Sequence, residues 1–384
     1  GIWQSSEVTT TIPQMAGAST LTGGTIELNA AGDQILKGTI DYNSLTFSVS
    51  GTKTLTSGLP TGSIDTLVTV KDAAILDVSN NEFSGPAGLL MSGTSRFRMS
   101  QLNTTLPQLT GINAPYSISG GTVELYGTNS TQQHVLRGTY GSPTVNVTYF
   151  NVDLNSNAAN LNNHNINMSA SISVLGTMTV FSPTVFRLNP TDVISGIGGA
   201  FEVKPDATLF YAHPLGIRSF SFQGNIQTSG RIFSSLASYG FTGTGDMDSG
   251  TGLPSTVKNL YVKKNVSANV ITLTNPVTVS DQMELVAGVI NNGTNLISIN
   301  NTNTNAIIGG SAASFVSGRL TRNLPANLLS GSTYDYPVGK LGASTYLPLS
   351  LVNPTTVAGG ASVRIEAFNV GCGGTASPDI SHPL

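Results

Sequence analysis

Charged residues are scarce in this sequence. Of its 384 residues, 10% are charged, whereas an average globular domain has about 25%. The 17 basic and 20 acidic residues give a formal net charge of −3, and the longest basic run is Lys263-Lys264. Proteins bind nucleic acid through clustered Lys and Arg that displace counterions from phosphates. The sequence therefore predicts no nucleic-acid partner.

Cysteine and long apolar runs are also scarce. The single cysteine, Cys372, excludes a disulfide within the chain. No stretch approaches the roughly 18 consecutive apolar residues of a membrane helix, so we expect no membrane span. Gly1 opens the chain without a basic and then apolar leader, and we expect a processed or truncated piece of a longer protein. Low lysine content and polar strands favour an extracellular location.

Residues that form strands and turns are abundant. Residues 165–174, NINMSASISV, alternate apolar and polar positions strictly, which buries one face of a strand. Similar short runs recur between clusters of Gly, Asn, Ser and Pro, at residues 45–49, 67–70, 145–152, 220–222, 260–262, 270–273 and 296–299. Many short strands joined by tight turns predict an all-β protein.

One hexapeptide is written twice. GGTIEL at residues 23–28 is followed by QILKGT at 34–39, and GGTVEL at 120–125 is followed by HVLRGT at 134–139. A weaker copy, GGAFEV, lies at 198–203. Repeated units that cannot close a core alone stack on their neighbours. We therefore predict a repeat-built β-solenoid, or β-helix, with irregular rungs over residues 1–305; a string of β-sandwiches is the alternative.

The end of the chain has a different pattern. Longer strand-like runs separated by prolines occur at residues 315–322, 334–339, 347–351 and 362–367. They predict a small β-sandwich-like domain over residues 306–384, cut short at its end. The Asn- and Thr-rich run at 300–305 suits a boundary, because such polar sequence packs poorly.

Several motifs together resemble one family. They are VKNLYV at 257–262, VTV at 277–279, Leu285, AGVI at 287–290, FVSGRLTR at 315–322 and YPVG at 336–339. This pattern resembles large secreted cell-surface proteins of the Bacteroidota, gliding-motility adhesins among them, and it covers residues 257–367. DYNSLTF at 41–47 and GTKTL at 51–55 resemble the solenoid repeats of the same family.

The resemblance implies export by the type IX secretion system to the outer face of a Gram-negative cell, and it supplies no catalytic residue. We expect a non-enzymatic adhesin or fibre-forming β-rod that displays loops to a surface polysaccharide or another cell-surface ligand. Exposed solenoid ends would also allow self-assembly. The alternative is a polysaccharide lyase or hydrolase, marked by three or more charged residues that converge in one groove.

Two candidate sites carry specific chemistry. Asp246 and Asp248 lie in GTGDMDSGTG at residues 243–252, where alternate carboxylates could hold Ca²⁺ through oxygen ligands. The match lacks the third acidic ligand and the distal Glu of a calcium loop, so a plain turn is the favoured interpretation. We expect no other cofactor. Thr66, in Asp65-Thr66-Leu67, resembles the O-glycosylation signal of Bacteroidota proteins.

Two further groups leave open questions. Alternation places Glu27 and Glu124 as outward-facing polar residues of the doubled hexapeptide, and its paired glycines fit tight corners. Several aromatic residues gather in the middle of the chain, as a sugar-binding platform or as core: Phe210, Tyr211, Phe220, Phe222 and Phe233. Because Phe220 and Phe222 share one face of a strand, both should point inward or both outward.

Overall fold

The protein folds as a parallel β-solenoid of about 14 turns, and 53% of the described residues are in strands and 1% in helix. The computed structural model describes residues 1–8, 11–15, 19–127, 133–156, 165–342 and 345–368. Within these ranges no helix has the length and apolar character needed to cross a membrane. The predictions of an all-β chain and a β-solenoid are confirmed.

The chain divides into two compact units. The first comprises residues 1–243 and 250–254, and the second comprises residues 244–249 and the described residues from 255 onward. The strands of the first unit are β1 Ile2–Ser5, β2 Thr11–Ile12, β3 Ser19–Thr20, β4 Thr25–Leu28, β5 Gln34–Leu36, β6 Ile40–Phe47, β7 Thr52–Leu55, β8 Ile64–Val70, β9 Ile75–Ser79, β10 Ser84–Gly85, β11 Gly88–Met91, β12 Arg96–Met99, β13 Thr105–Leu106, β14 Gln108–Leu109, β15 Tyr116–Ile118, β16 Thr122–Gly127, β17 His134–Leu136, β18 Thr139–Tyr140, β19 Val145–Asn146, β20 Thr148–Tyr149, β21 Asn151–Ser156, β22 Ile166–Met168, β23 Ile172–Val174, β24 Thr177–Val180, β25 Val185–Arg187, β26 Ile194–Val203, β27 Thr208–Tyr211, β28 Ile226–Phe233 and β29 Ser238–Phe241.

Apart from the antiparallel pair of β18 and β19, strands of the first unit pair in parallel with strands of the turns before and after them. One sheet has the order β1-β4-β6-β8-β11-β15, and a second runs β2-β5-β7-β9-β12-β16-β21-β24-β26. A third row runs β13-β17-β22-β25-β27-β29. Because each turn contributes a strand to more than one sheet, residues far apart in sequence become neighbours on the outer surface.

Inward-facing residues stack in columns along the solenoid. In the first sheet, register places buried residues directly over one another: Leu28, Phe47, Val70, Met91 and Ile118. The second sheet has a similar column of fully buried residues: Leu76, Phe97, Val123, Val152, Met178 and Phe201. Each fully buried apolar side chain contributes about 1.5–3 kcal/mol. The alternation in the sequence therefore separates residues that face the inside of the solenoid from residues that face its outside.

The glycines of the doubled hexapeptide form corners between strands. Gly121 has a φ of +75°, and a Cβ there would lie 2.5 Å from the carbonyl oxygen of Ser95 on the preceding turn. Gly24 has a φ of +87°, and its Cβ would lie 2.6 Å from the carbonyl oxygen of Gly1. The two copies nevertheless lie in different sheets, because β4 belongs to the first and β16 to the second.

Among the strand predictions, those for residues 165–174 and 220–222 were wrong. Residues 165–174 form β22 and β23, which belong to different sheets and are separated by a bend at 169–170. Residues 220–222 form no strand but a bend in the connection between β27 and β28. In both places the apolar periodicity is real, but the backbone turns a corner, and periodicity does not report corners.

The second unit contains β30 Met247–Asp248, β31 Thr256–Lys263, β32 Val270–Thr272, β33 Val277–Ala287, β34 Val289–Ile299, a 3₁₀ turn Thr304–Ala306, β35 Ile307–Gly309, β36 Val316–Leu324, β37 Thr333–Tyr336, β38 Val338–Lys340, β39 Thr345–Tyr346, β40 Leu349–Val352 and β41 Ala361–Ile365. Parallel pairing joins β33 to β35 and β34 to β36, on both sides of residue 305. Beyond them, β36 with β41, β37 with β40 and β38 with β39 pair antiparallel. The sandwich-like domain over 306–384 stays a prediction.

Candidate functional site: an exposed aromatic loop and a charged ladder

A connection between β27 and β28, residues 212–225, displays two phenylalanine rings. Phe220 is 90% exposed and Phe222 is 62% exposed, so both point outward. Phe210 and Tyr211, on β27, are fully buried in the core. Phe233, on β28, is half-buried. The aromatic residues of this region thus divide between the core and the surface, and Phe220 and Phe222 are the most exposed of the five candidates. We call residues 212–225 the aromatic loop.

The base of the aromatic loop is anchored by a buried asparagine. The Asn225 side chain is fully buried, and its Oδ1 accepts a hydrogen bond of 3.0 Å from the His213 amide. Its Nδ2 donates to the carbonyl oxygens of Asn189 at 2.8 Å and Asp192 at 2.7 Å. A buried, fully engaged amide ties both ends of the loop to the preceding turn.

Arg231, on β28, clamps the loop from below. Its Nε donates to the carbonyl oxygen of Thr228 at 2.9 Å, and its Nη1 donates to that of Arg218 at 2.9 Å. Its Nη2 donates to the carbonyl oxygen of Ser221. Burial lowers the pKa of the Arg231 guanidinium. All three nitrogens therefore bind backbone, and the planar fork of arginine suits this task.

Ser221, between the two exposed rings, adopts a costly backbone conformation. Its φ is 109°, a region that a residue with a side chain enters at a cost of about 1–3 kcal/mol. The Arg231 bond to its carbonyl oxygen holds it there. Strain of this kind persists where the surroundings over-determine it, and such places cluster at functional sites.

The two rings border a cleft of about 310 Å³, lined by Phe220, Ser221, Phe222, Thr228, Ser229 and Arg231. Ile197, on β26, is 87% exposed. Its neighbour Gly198 donates its amide to Ser229 Oγ at 3.0 Å, so Ile197 is next in sequence to a residue that bonds to the cleft lining. Two exposed aromatic side chains on one cleft form an apolar patch of the kind that marks an interaction site.

A second feature, which we call the charged ladder, crosses four turns on the second sheet. Its members are Asp77, Arg96, Arg98, Glu124 and Asp153. The strand register places four of them side by side on adjacent strands, which are Asp77 on β9, Arg98 on β12, Glu124 on β16 and Asp153 on β21. The Arg98 guanidinium contacts Asp77 at 3.2 Å and Glu124 at 2.7 Å. Arg96 Nη1 contacts Glu124 at 3.0 Å and Asp153 at 2.8 Å.

The two carboxylates that share Arg96 differ in acidity. For Glu124, burial acts against ionisation, but hydrogen bonding from Asn155 and the charges of Arg98 and Arg96 hold its pKa below the usual range. Burial raises the pKa of Asp153, assisted by the Glu124 charge and opposed by Arg96. Paired carboxyl groups with pKa values pushed apart are the arrangement that acid–base enzymes use.

The structure corrects the sequence interpretation of Glu27 and Glu124 in one respect. Alternation does put both on the outer side of a strand, yet Glu27 is 8% exposed and Glu124 is 5% exposed. Glu27 accepts hydrogen bonds from Gln4 at 2.6 Å and Ser48 at 2.8 Å and pairs with Lys71 at 3.4 Å. In each copy the glutamate is covered by polar side chains of adjacent turns. A single strand pattern cannot show such a partner.

Asp246 and Asp248 lie on either side of the buried Met247. Asp246 Oδ1 accepts the Val270 amide hydrogen bond at 2.8 Å, so this carboxylate already closes a turn onto β32. Across the described part of the chain, no group of three or more His, Cys, Asp or Glu residues is placed to hold a metal ion. Calcium binding by Asp246 and Asp248 stays a prediction.

Thr66 lies in β8 at an irregularity of the pairing with β6, where the register shifts between Tyr42 and Ser44. Its Oγ1 accepts a hydrogen bond of 3.2 Å from Asn43 Nδ2, and the residue is half-buried. Glycosylation of Thr66 stays a prediction. Cys372 lies outside the described residues.

Sequence reasoning identified Phe220 and Phe222 as candidates but missed Arg231 and the ladder. The alternation Arg96-Phe-Arg98-Met is a signal for paired outward arginines, but their partners become visible only with the register between turns.

Fold and surface together define a parallel β-solenoid that carries an aromatic loop. No family model matches the chain, and neither a curated protein nor a solved structure matches it.

Proposed function

We propose that the protein is a non-enzymatic β-rod that attaches to a surface polysaccharide or another cell-surface ligand through its aromatic loop. The observation that carries the proposal is the exposure of Phe220 and Phe222 on a loop that Asn225 and Arg231 hold in place. An exposed apolar pair is unfavourable in water and is retained where it meets a partner. A β-solenoid is suited to the task, since its turns can carry displayed loops.

The proposal includes location and export. The motifs at residues 257–262 and 315–322 resemble those of secreted Bacteroidota surface proteins. The low charge and the polar strand surface support a place outside the cell. Export by the type IX secretion system and self-assembly through solenoid ends belong to the same proposal.

The test measures binding and turnover in one assay. The purified chain is offered a panel of immobilised polysaccharides, with and without calcium, and both retained protein and released sugar are measured. Binding without product supports attachment. A Phe220→Ala, Phe222→Ala double variant should lose the binding, whereas Leu329→Ala, which removes an exposed side chain of the second unit, should retain it. Failure of the wild-type chain to bind any surface ligand would sink the proposal.

A second candidate function is polysaccharide cleavage at the charged ladder. It is favoured by the Glu124 and Asp153 pair, whose pKa values are shifted in opposite directions. Against it stands the Arg96 guanidinium, which bonds to both carboxylates and leaves neither unpaired. Product release that disappears in both Glu124→Gln and Asp153→Asn would establish the enzyme and overturn the non-enzymatic proposal.

A further inference from the structure

We propose that the aromatic loop binds the apolar ring face of an uncharged polysaccharide, with Ile197, Phe220 and Phe222 as the contact residues. This inference rests on the proposed attachment function and names the class of ligand. It makes Arg231 a positioning residue that shapes the cleft rather than a residue that recognises a negative charge.

The charge distribution around the cleft carries the first step. Arg231 is the one ionisable residue among those that line it, and each of its three nitrogens donates to a backbone carbonyl. Three of the five N–H groups of this guanidinium are therefore engaged by the backbone, so its part in the cleft is to hold the loop. No carboxylate lines the cleft to attract a cation. An uncharged ligand suits such a lining best.

The polar groups at the rim are hydroxyls. Ser229 is exposed, and its Oγ accepts the Gly198 amide, which leaves its own O–H as a donor. Ser221 adds a half-buried hydroxyl between the two rings. A ligand that alternates apolar faces with hydroxyl groups would match rings and rim together, and a sugar ring has this character. Binding sites of this kind combine aromatic walls with a few polar groups that fix orientation.

The size of the patch favours a sugar over a folded protein. Stable protein interfaces bury about 800 Å² per partner over roughly 20–30 residues, whereas this cleft is lined by six. Its volume of about 310 Å³ lies at the low end of the range of about 300–1,000 Å³ for small-ligand sites. The geometry fits a short stretch of a polysaccharide chain.

The test compares neutral and anionic polysaccharides at low and high salt. The whole chain is titrated against soluble mannan, β-glucan and galactomannan as neutral probes, and against alginate and polygalacturonate as anionic ones. We expect binding to at least one neutral probe with an affinity that salt does not change, since the contact involves no ion pair. The Phe220→Ala, Phe222→Ala variant should weaken it by about tenfold or more, and Ile197→Ser by less.

Controls separate this inference from the attachment function. Leu329→Ala should bind as the wild type does, and an unchanged melting temperature shows that the surface variants fold. Salt-sensitive binding to anionic probes alone would overturn the neutral-ligand inference but leave attachment standing. Salt-insensitive binding that survives the double phenylalanine variant would overturn the assignment to this cleft. Binding to no polysaccharide would overturn the inference, and a non-carbohydrate surface ligand would then have to carry the attachment proposal.

Discussion

The aromatic loop and the charged ladder lie on the outer surface of the same unit but use that surface in opposite ways. In the ladder, side chains of four successive turns satisfy one another: Asp77, Arg96, Arg98, Glu124 and Asp153. In the loop, the side chains of Asn225 and Arg231 form hydrogen bonds to the backbone, and the rings of Phe220 and Phe222 are exposed to water. The ladder residues are therefore paired with one another, whereas the loop leaves an apolar surface exposed, which is the basis of the proposed attachment.

The two regions also differ in what holds them. Parallel pairing fixes the positions of the ladder residues, because each sits on a strand bonded on both sides. The loop has no strand pairing at residues 220–222, so single side chains such as Asn225 and Arg231 determine its shape. Substitutions in the loop should therefore change binding, whereas substitutions in the ladder should change stability.

The largest effect on ligand binding is expected from Arg231→Met. This change removes the donors to three carbonyl groups and releases the strained Ser221, so the loop should lose on the order of 2 kcal/mol of local stability. Polysaccharide binding should fall as far as in the double phenylalanine variant. Hydrogen exchange at residues 212–225 is the measurement.

Arg231→Lys is the matched control, because a lysine keeps the charge but cannot reproduce the planar fork. It should recover little of the lost exchange protection. Full protection in either variant would contradict the clamp and would remove the structural difference between loop and ladder.

Glu124→Gln should show the converse behaviour. Loss of this nearly buried charge leaves Arg96 and Arg98 without their shared partner, and we expect the free energy of unfolding to fall by about 1–3 kcal/mol, as measured by urea denaturation. Binding at the aromatic loop should not change. Lys204→Gln, which breaks the exposed pair with Glu202, should cost only about 0–1 kcal/mol, and equal costs for the two variants would contradict the role of the ladder.

The dependence of the free energy of unfolding on pH, at acidic pH, should show the contribution of the ladder carboxylates. Because the folded-state pKa of Glu124 is below its ordinary value of 4.5, its stabilising contribution is present above that value and is lost as the pH falls through the folded pKa. The raised pKa of Asp153 works in the opposite direction, so its charge costs stability at neutral pH. Asp153→Asn should therefore cost less than Glu124→Gln at neutral pH, and Glu124→Gln should flatten the curve below 4.5. The reverse order would refute this assignment.

The smallest effect is expected at His213, within the aromatic loop. Its Nδ1 accepts the Leu215 amide at 3.1 Å, and burial, with the charge of Arg218, lowers its pKa below the ordinary 6.5. The unfolded loop therefore takes up a proton before the folded loop does, and loop stability falls as the pH drops from 6.5 towards the folded pKa. Ligand binding should weaken a few-fold in this window. His213→Asn can accept the same amide without titrating, and should remove the pH dependence.

Features that depend on neighbouring residues in the sequence could be predicted, whereas features that depend on contacts between distant residues could not. Alternation predicted the buried positions of the strands, and paired glycines predicted corners, as at Gly121. The bend at residues 169–170 was missed because Ser169 and Ala170 continue the alternating pattern across it. Whether Phe220 and Phe222 faced in or out depended on a loop conformation that distant groups determine.

The sequence by itself determined that the chain is built of short strands and tight turns, with one set of apolar residues inside, because a period of two and left-handed glycines are local properties of the backbone. Only the tertiary structure decided which turns lie side by side. The stacking of turns brings Asp77 and Asp153 into one ladder. It also places Arg231 within hydrogen-bonding distance of carbonyl groups in the aromatic loop, although that loop ends at residue 225. Loop lengths and hydrogen bonds between turns set the register of these contacts, and neither is encoded within a single repeat.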